Sequence, residues 1–104
     1  MESFEVVAWL RQYIADNLAN HIANALLIGS VVSGVIYPKD CDLLAVLKSE
    51  YIEEAIPRIA QLRLDFQATF RVPLHVTRLT TQEIEETREF LAEVISRAHI
   101  DIYP

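Results

Sequence analysis

Asp40 and Asp42 flank the single cysteine, Cys41, and open an apolar run, C-D-L-L-A-V-L, over residues 41–47. On a strand, residues at i and i+2 point to the same side of the sheet, so the two carboxylates would stand side by side. Like charges held that close repel unless something positive sits between them. Mg²⁺ suits such a pair, because it takes carboxylate oxygens and fills its shell with water and substrate phosphates. Upstream, the apolar run A-L-L-I at 25–28 stops at Gly29-Ser30. A turn of that type can bring backbone N–H groups and a hydroxyl to phosphate oxygens. Plainer uses stand beside these. An aspartate often begins a strand after a proline-containing loop, and Tyr37-Pro38 precedes this pair. A Gly-Ser pair often does no more than end a strand. Lys39 is either a partner for phosphate or a solvated lysine beside a carboxylate.

The elements that would position these groups follow from hydrophobic spacing. Phe4, Val7, Leu10, Ile14, Leu18 and Ile22 recur at three- and four-residue steps and predict a helix over 4–23. Residues 25–28 predict a short buried strand and 41–47 a second one. In the second, Leu44 and Val46 share a side with the aspartates, while Cys41, Leu43, Ala45 and Leu47 take the other. Both sides are apolar beyond position 42, which predicts a central strand covered on both faces. A second helix is expected over 50–70 on the spacing of Ile52, Ile56, Ile59, Leu62, Phe66 and Phe70, with a kink or restart at Pro57. L-H-V-T-R-L after Pro73 reads as a third strand. Thr80-Thr81-Gln82-Glu83 has the pattern of a capping box with Thr80 as N-cap. The helix it opens is expected to turn Ile84, Thr87, Leu91, Val94 or Ile95, and Ala98 inward. The tail H-I-D-I-Y-P either adds a strand or docks on the surface. The order is α-β-β-α-β-α-(β), an α/β (α+β) arrangement with a small mixed sheet of three to four strands packed with helices. About twelve residues join the first two strands with no helix long enough for a crossover, so the sheet should be mixed rather than all parallel.

The bulk numbers bound the rest. One hundred and four residues make one domain, 1–104, and 52% hydrophobic with 23% charged residues is the balance of a chain with a core. A net charge of −6 makes free nucleic acid a poor partner, because phosphate binding needs a basic face. A nucleotide carrying its own cation is not excluded by that charge. One cysteine rules out an internal disulfide and suits a reducing cytoplasm. The N-terminus, with Glu2 and Glu5, lacks a signal-peptide pattern. No apolar run approaches the roughly 20 residues needed to cross a bilayer, so no membrane partner is expected. Cys41 reads as a small buried hydrophobe. His21 and His99 read as solvated or capping. Phe4, Trp9, Tyr13, Phe66, Phe70 and Phe90 fall at helical positions and read as core first, interface second.

Taken together, Gly29, Ser30, Asp40 and Asp42 resemble the active-site signature of the polymerase-beta-like nucleotidyltransferases, in which a Gly-Ser pair is followed some ten residues on by Asp-x-Asp on the next strand. The chain is similar in layout to the minimal single-domain members. The resemblance implies a nucleotidyltransferase fold. It implies Asp40 and Asp42 as metal ligands for Mg²⁺, with Mn²⁺ as a second choice, and Gly29 and Ser30 as phosphate-binding. A nucleoside triphosphate would be the substrate and a nucleoside monophosphate the group transferred. Two positions depart from the pattern. Many relatives carry an arginine just after the Gly-Ser pair, where this chain has Val31 and Val32. Active members place a third carboxylate near the start of the third strand, where the matching register puts His75. Three readings of His75 stay open: a substitute ligand or base, the mark of a lost catalytic site, or a strand residue of no chemical role. Minimal members also stand beside helical partner proteins, in some cases as the antitoxin of a toxin–antitoxin pair. The resemblance therefore implies either a metal-dependent transferase or a degenerate interaction module, completed by a helical partner or a homodimer.

Overall fold

The computed structural model describes residues 3–29, 32, 39–86 and 88–104, without the side chains of residues 85, 90, 94 and 95. Helix α1 (Ser3–Asn17) leads into strand β1 (Ile22–Ile28), and strand β2 (Cys41–Leu47) follows. A short 3₁₀ turn (Ser49–Tyr51) opens helix α2 (Ile52–Phe70), which leads to strand β3 (Leu74–Thr80). Helices α3 (Thr81–Glu86) and α4 (Arg88–Ser96) precede strand β4 (Ile100–Tyr103).

The four strands form one sheet in the order β3-β2-β1-β4. β1 pairs antiparallel with β2 and with β4, whereas β2 and β3 run parallel. The sheet is therefore mixed, and β2 lies inside it. Every odd residue of β2 (Cys41, Leu43, Ala45, Leu47) is buried in the main core with Ala25 and Leu27 of β1. Against that face pack Val6, Leu10 and Ile14 of α1 and Ile59, Leu62 and Phe66 of α2. Trp9 stacks on Tyr13 at 4.9 Å and meets Phe66 edge-on at 5.6 Å, so the aromatics join α1 to α2. The Tyr13 hydroxyl closes the same joint by donating to Asp65 Oδ2 at 2.6 Å. Leu44 and Val46 point to the opposite face and are also buried.

Several boundaries differ from expectation. The first helix stops at Asn17, not at residue 23, and β1 begins at Ile22 instead of Ala25. Leu18 and Ile22 extend the helical spacing because both remain wholly or almost wholly buried, one in the turn and one in the strand. A bulge between Ile22 and Asn24 resets the strand alternation, so Ile22 joins the core face with Ala25 and Leu27. α2 runs through Pro57 without interruption. Pro57 lies near the helix start, and the change of geometry falls earlier, where the 3₁₀ turn gives way to α-helix at Tyr51–Ile52. At the other end Arg71 adopts the left-handed conformation (φ 62°) and returns its N–H to the Gln67 carbonyl. The expected last helix is described on either side of residue 87, over Thr81–Glu86 and Arg88–Ser96, and Ala98 lies exposed beyond it. Thr87 and the side chains of Phe90, Val94 and Ile95 are outside the described residues. The capping box forms as read: the Thr80 hydroxyl accepts from the Glu83 N–H at 3.1 Å, and the Thr80 N–H donates to Glu83 Oε1 at 3.2 Å. The tail pairs with β1 as β4 and buries Ile102 in the core. Among the described residues no helix is long and apolar enough to cross a membrane.

Candidate active site

Three adjacent strands bring the singled-out residues to one end of the sheet. Asp42 lies level with Ile28 of β1 on one side and with His75 of β3 on the other. Leu74 is buried in the core, so the alternation sends His75 to the opposite face, the face of Asp42, Leu44 and Val46. Asp40, one residue before β2, reaches toward the same point: its Oδ2 lies 3.4 Å from His75 Nε2, with both side chains about half exposed.

Gly29 ends β1 with φ +83°, in the left-handed region that glycine adopts without strain. A methyl group there would lie 2.7 Å from Asp42 Oδ2. Only a residue without Cβ lets the end of β1 come this close to the carboxylate. Ser30, Val31 and residues 33–38 are outside the described residues. Val32 packs half-buried against the core, and Lys39 is exposed.

The electrostatics follow from this crowding. Burial raises the Asp42 pKa above the usual carboxylate value, the charge of Asp40 raises it further, and His75 works against both. Cys41 points away into the core, fully buried. Burial first, then Asp42 and Asp40, push its thiol up to about 11, so it remains protonated and inert at neutral pH.

Whether these residues suit a divalent cation can be tested on the chain itself. Among the described residues no group of three or more His, Cys, Asp or Glu side chains is arranged to hold a metal ion. Two carboxylates are enough for Mg²⁺, which keeps several waters and takes its other oxygens from substrate phosphates. The pair is crowded and partly desolvated, and the lack of a Cβ at Gly29 lets the Asp42 carboxylate lie against the end of β1. The donor set therefore fits a cation that arrives with its own phosphate.

The other histidines differ from expectation. His21 is buried rather than solvated, with Nε2 3.2 Å from Glu54 Oε2 and its ring edge-on to Tyr51. It joins the start of β1 to α2. His99 is half-buried, 3.7 Å from Asp101 Oδ1. It belongs to a cavity of about 390 Å³ on the Asp42 face, which the sequence reading did not single out. The signal for that cavity was Asn24 and Leu26, which alternate with core residues on β1, but the covering helices could not be positioned from spacing alone. No protein-family model matches the chain, and no curated protein matches it.

Proposed function

We propose that this chain is a minimal nucleotidyltransferase-type domain, similar to the polymerase-beta-like enzymes, which binds a metal-bound nucleoside triphosphate at the β1–β2–β3 end of its sheet. The observation that carries the reading is the Gly29–Asp42–His75 alignment across three strands with Asp40 beside it. Asp40 and Asp42 would hold the cation, which would supply charge neutralisation on the phosphates. Gly29 lets the end of β1 lie against the Asp42 carboxylate, and Gly29 and Ser30 are the proposed phosphate-binding pair, Ser30 as hydroxyl donor. An acceptor hydroxyl attacks the α-phosphorus, a new O–P bond forms, and the bond to the bridging oxygen breaks to release pyrophosphate. His75, half exposed beside Asp40, is the group in position to take the hydroxyl proton while its imidazole is neutral. A helical partner protein or a second copy of the chain is proposed to complete the acceptor side.

Imidazole is a poorer Mg²⁺ ligand than carboxylate and suits Mn²⁺ better, so transfer with Mg²⁺ should be weak. A second reading has its own support, the lack among the described residues of a third carboxylate grouped with Asp40 and Asp42 to hold a metal: a degenerate member acting as an interaction or antitoxin-type module. Labelled-ATP transfer to the purified partner, with Mg²⁺ and with Mn²⁺, separates the two. For the transferase, Asp42→Asn abolishes both binding and transfer. His75→Asp, which adds an oxygen ligand for Mg²⁺, raises the Mg²⁺ rate. Tight Mg²⁺·ATP binding without transfer in wild type or in His75→Asp would leave the interaction module. Absence of metal-dependent ATP binding in wild type would overturn the nucleotide reading itself.

A further inference from the structure

Strand β3 stands at one edge of the sheet, and a single bond fixes which way its backbone groups point. The Cys41 N–H donates to the Pro73 carbonyl at 3.0 Å, and Cys41 is level with Leu74. In a parallel pair this turns the N–H and C=O groups of His75, Thr77 and Leu79 toward β2 and those of Leu74, Val76, Arg78 and Thr80 to the open side. The chain's own side chains cap the two ends of that open side. Arg63 Nε donates to the Leu74 carbonyl at 3.1 Å, and the Thr80 N–H donates to Glu83 Oε1 at 3.2 Å. Between the caps, no group among the described residues bonds the outward N–H and C=O of Val76 and Arg78. Such groups are a template for another strand. The exposed stripe of α2 runs beside this edge: Ile56 shares a cavity with Arg78, and Ala60 and Leu64 share another with Leu74. The stripe runs opposite to the strand, so Ala60, midway between Ile56 and Leu64, comes level with the middle of β3.

We infer that this edge binds a second copy of the chain, β3 against β3, antiparallel about a two-fold axis at Thr77. The assignment gives the second copy in the proposed function a definite surface, and its geometry owes nothing to the nucleotide reading. A two-fold interface needs one patch that complements itself, and this patch does so in each layer. With Thr77 opposite Thr77, Val76 faces Arg78 of the second copy, and the two exchange both N–H···O bonds as a hydrogen-bonded antiparallel pair. The symmetry repeats the exchange, so every open edge group between the caps finds a partner. The capped ends also meet, Leu74 with its Arg63 across from Thr80 with its Glu83, which sets opposite charges face to face at both ends. Arg63 has its terminal guanidinium nitrogens left for that contact, since only Nε is used on Leu74. In the helix layer Ile56 meets Leu64 of the second copy, and the small Ala60 lies at the axis, where the two helices come nearest. In the other layer Leu79 of the second copy stands across from His75, so a second chain borders the candidate site. The caps limit the added ladder to its centre, and the two-fold closes it without an edge for a third copy.

The test is sedimentation equilibrium of the purified full chain up to millimolar concentration, with amide hydrogen exchange followed by NMR. A mass near twice 11.9 kDa is expected, with the Val76 and Arg78 amides protected in the dimer and exchanging freely on dilution. Arg78→Pro removes an outward N–H that its own sheet does not use, at an edge position where proline is tolerated. It should weaken association by roughly tenfold or more, the effect of the bonds lost on both sides of the axis, while Tm holds. Arg63→Glu and Glu83→Arg should each stay monomeric, and their equimolar mixture should dimerise, because each chain then meets the opposite charge at both ends. A monomeric wild type, a dimer whose Val76 and Arg78 amides exchange as fast as in the monomer, or a mixture that stays monomeric would overturn the interface. Titration of the Arg78→Pro chain with Mg²⁺·ATP keeps the two readings apart: the nucleotide site is judged by that binding and the interface by mass and exchange, so either can fail alone.

Discussion

Burial and the neighbouring Asp40 both raise the proton affinity of Asp42, while His75 opposes them. A carboxyl whose pKa is higher in the fold than in the unfolded chain binds its proton more tightly when folded. Its contribution to stability is complete below the unfolded value, near 3.9, and is lost as pH rises through the folded value. At neutral pH the ionised Asp42 therefore weakens the fold. Asp42→Asn removes that charge and should raise Tm at pH 7, with no gain at pH 3. The same variant should lose the proposed divalent-cation binding, the common trade between a charged site and stability. Thermal melts at the two pH values, without and with Mg²⁺, check both statements. Gly29→Ala tests the other side of the same contact. The added methyl meets Asp42 Oδ2 at 2.7 Å and φ is +83°, so the chain is strained and the carboxylate must move. The expected loss is roughly 1–3 kcal/mol of stability in urea unfolding. Mg²⁺·ATP affinity should fall by a factor of ten or more in the molecules that fold, on the order of one charge-assisted contact.

At the scale of elements, α1 and α2 are joined by the aromatic stack and by the Tyr13–Asp65 hydrogen bond. Burial, the bond to Asp65 and the Asp65 charge push the Tyr13 hydroxyl up to about 12. Because the folded value is the higher one, the stability it brings is present below about pH 10 and is lost as pH rises through the folded value. Tyr13→Phe should lower stability by about 1 kcal/mol at pH 8. It should also flatten the fall in urea midpoint between pH 10 and 12; an unchanged alkaline slope would show that this bond does not control it. Sequence spacing indicated three strands, the central position of β2 and the capping box, because strand alternation and cap chemistry are local; it left the tail open between a fourth strand and a surface segment. It did not give the end of α1, since Leu18 and Ile22 face the same core from a turn and a bulged strand. His21 looked solvated because nothing local reveals Glu54, thirty-three residues away and across the fold. The carboxylates and His75 were legible by alternation and register. The cavity beside them was not, because it exists only where α3, α4 and β4 meet the sheet.

For the molecule as a whole, the outer surface of α2 bears on the proposed partner. Ile56 and Leu64 stand eight residues apart on that helix, a little over two turns, and both are exposed, at 44% and 64%. Exposed Ala60 lies between them. If this stripe is the proposed self-association surface, light scattering at high concentration should give a mass near twice 11.9 kDa. Ile56→Glu with Leu64→Glu should return it to the monomer without lowering Tm. A monomeric wild type across that range would leave only a hetero-partner. The antiparallel pairing of β1 with β2 has a different kind of consequence, for how such a chain can change over generations. Ile28 and Asp42 are level because the two strands are paired through Ile22 and Leu47, not because of the segment between them. Doubling the length of that segment costs the closed loop only about 0.6 kcal/mol. Insertions and deletions between Val32 and Asp40 can thus reshape what is presented beside the carboxylate at little expense to its position. A substitution of Gly29 itself has no such freedom. The architecture separates a stretch in which novelty can accumulate from a rung that inheritance must leave alone.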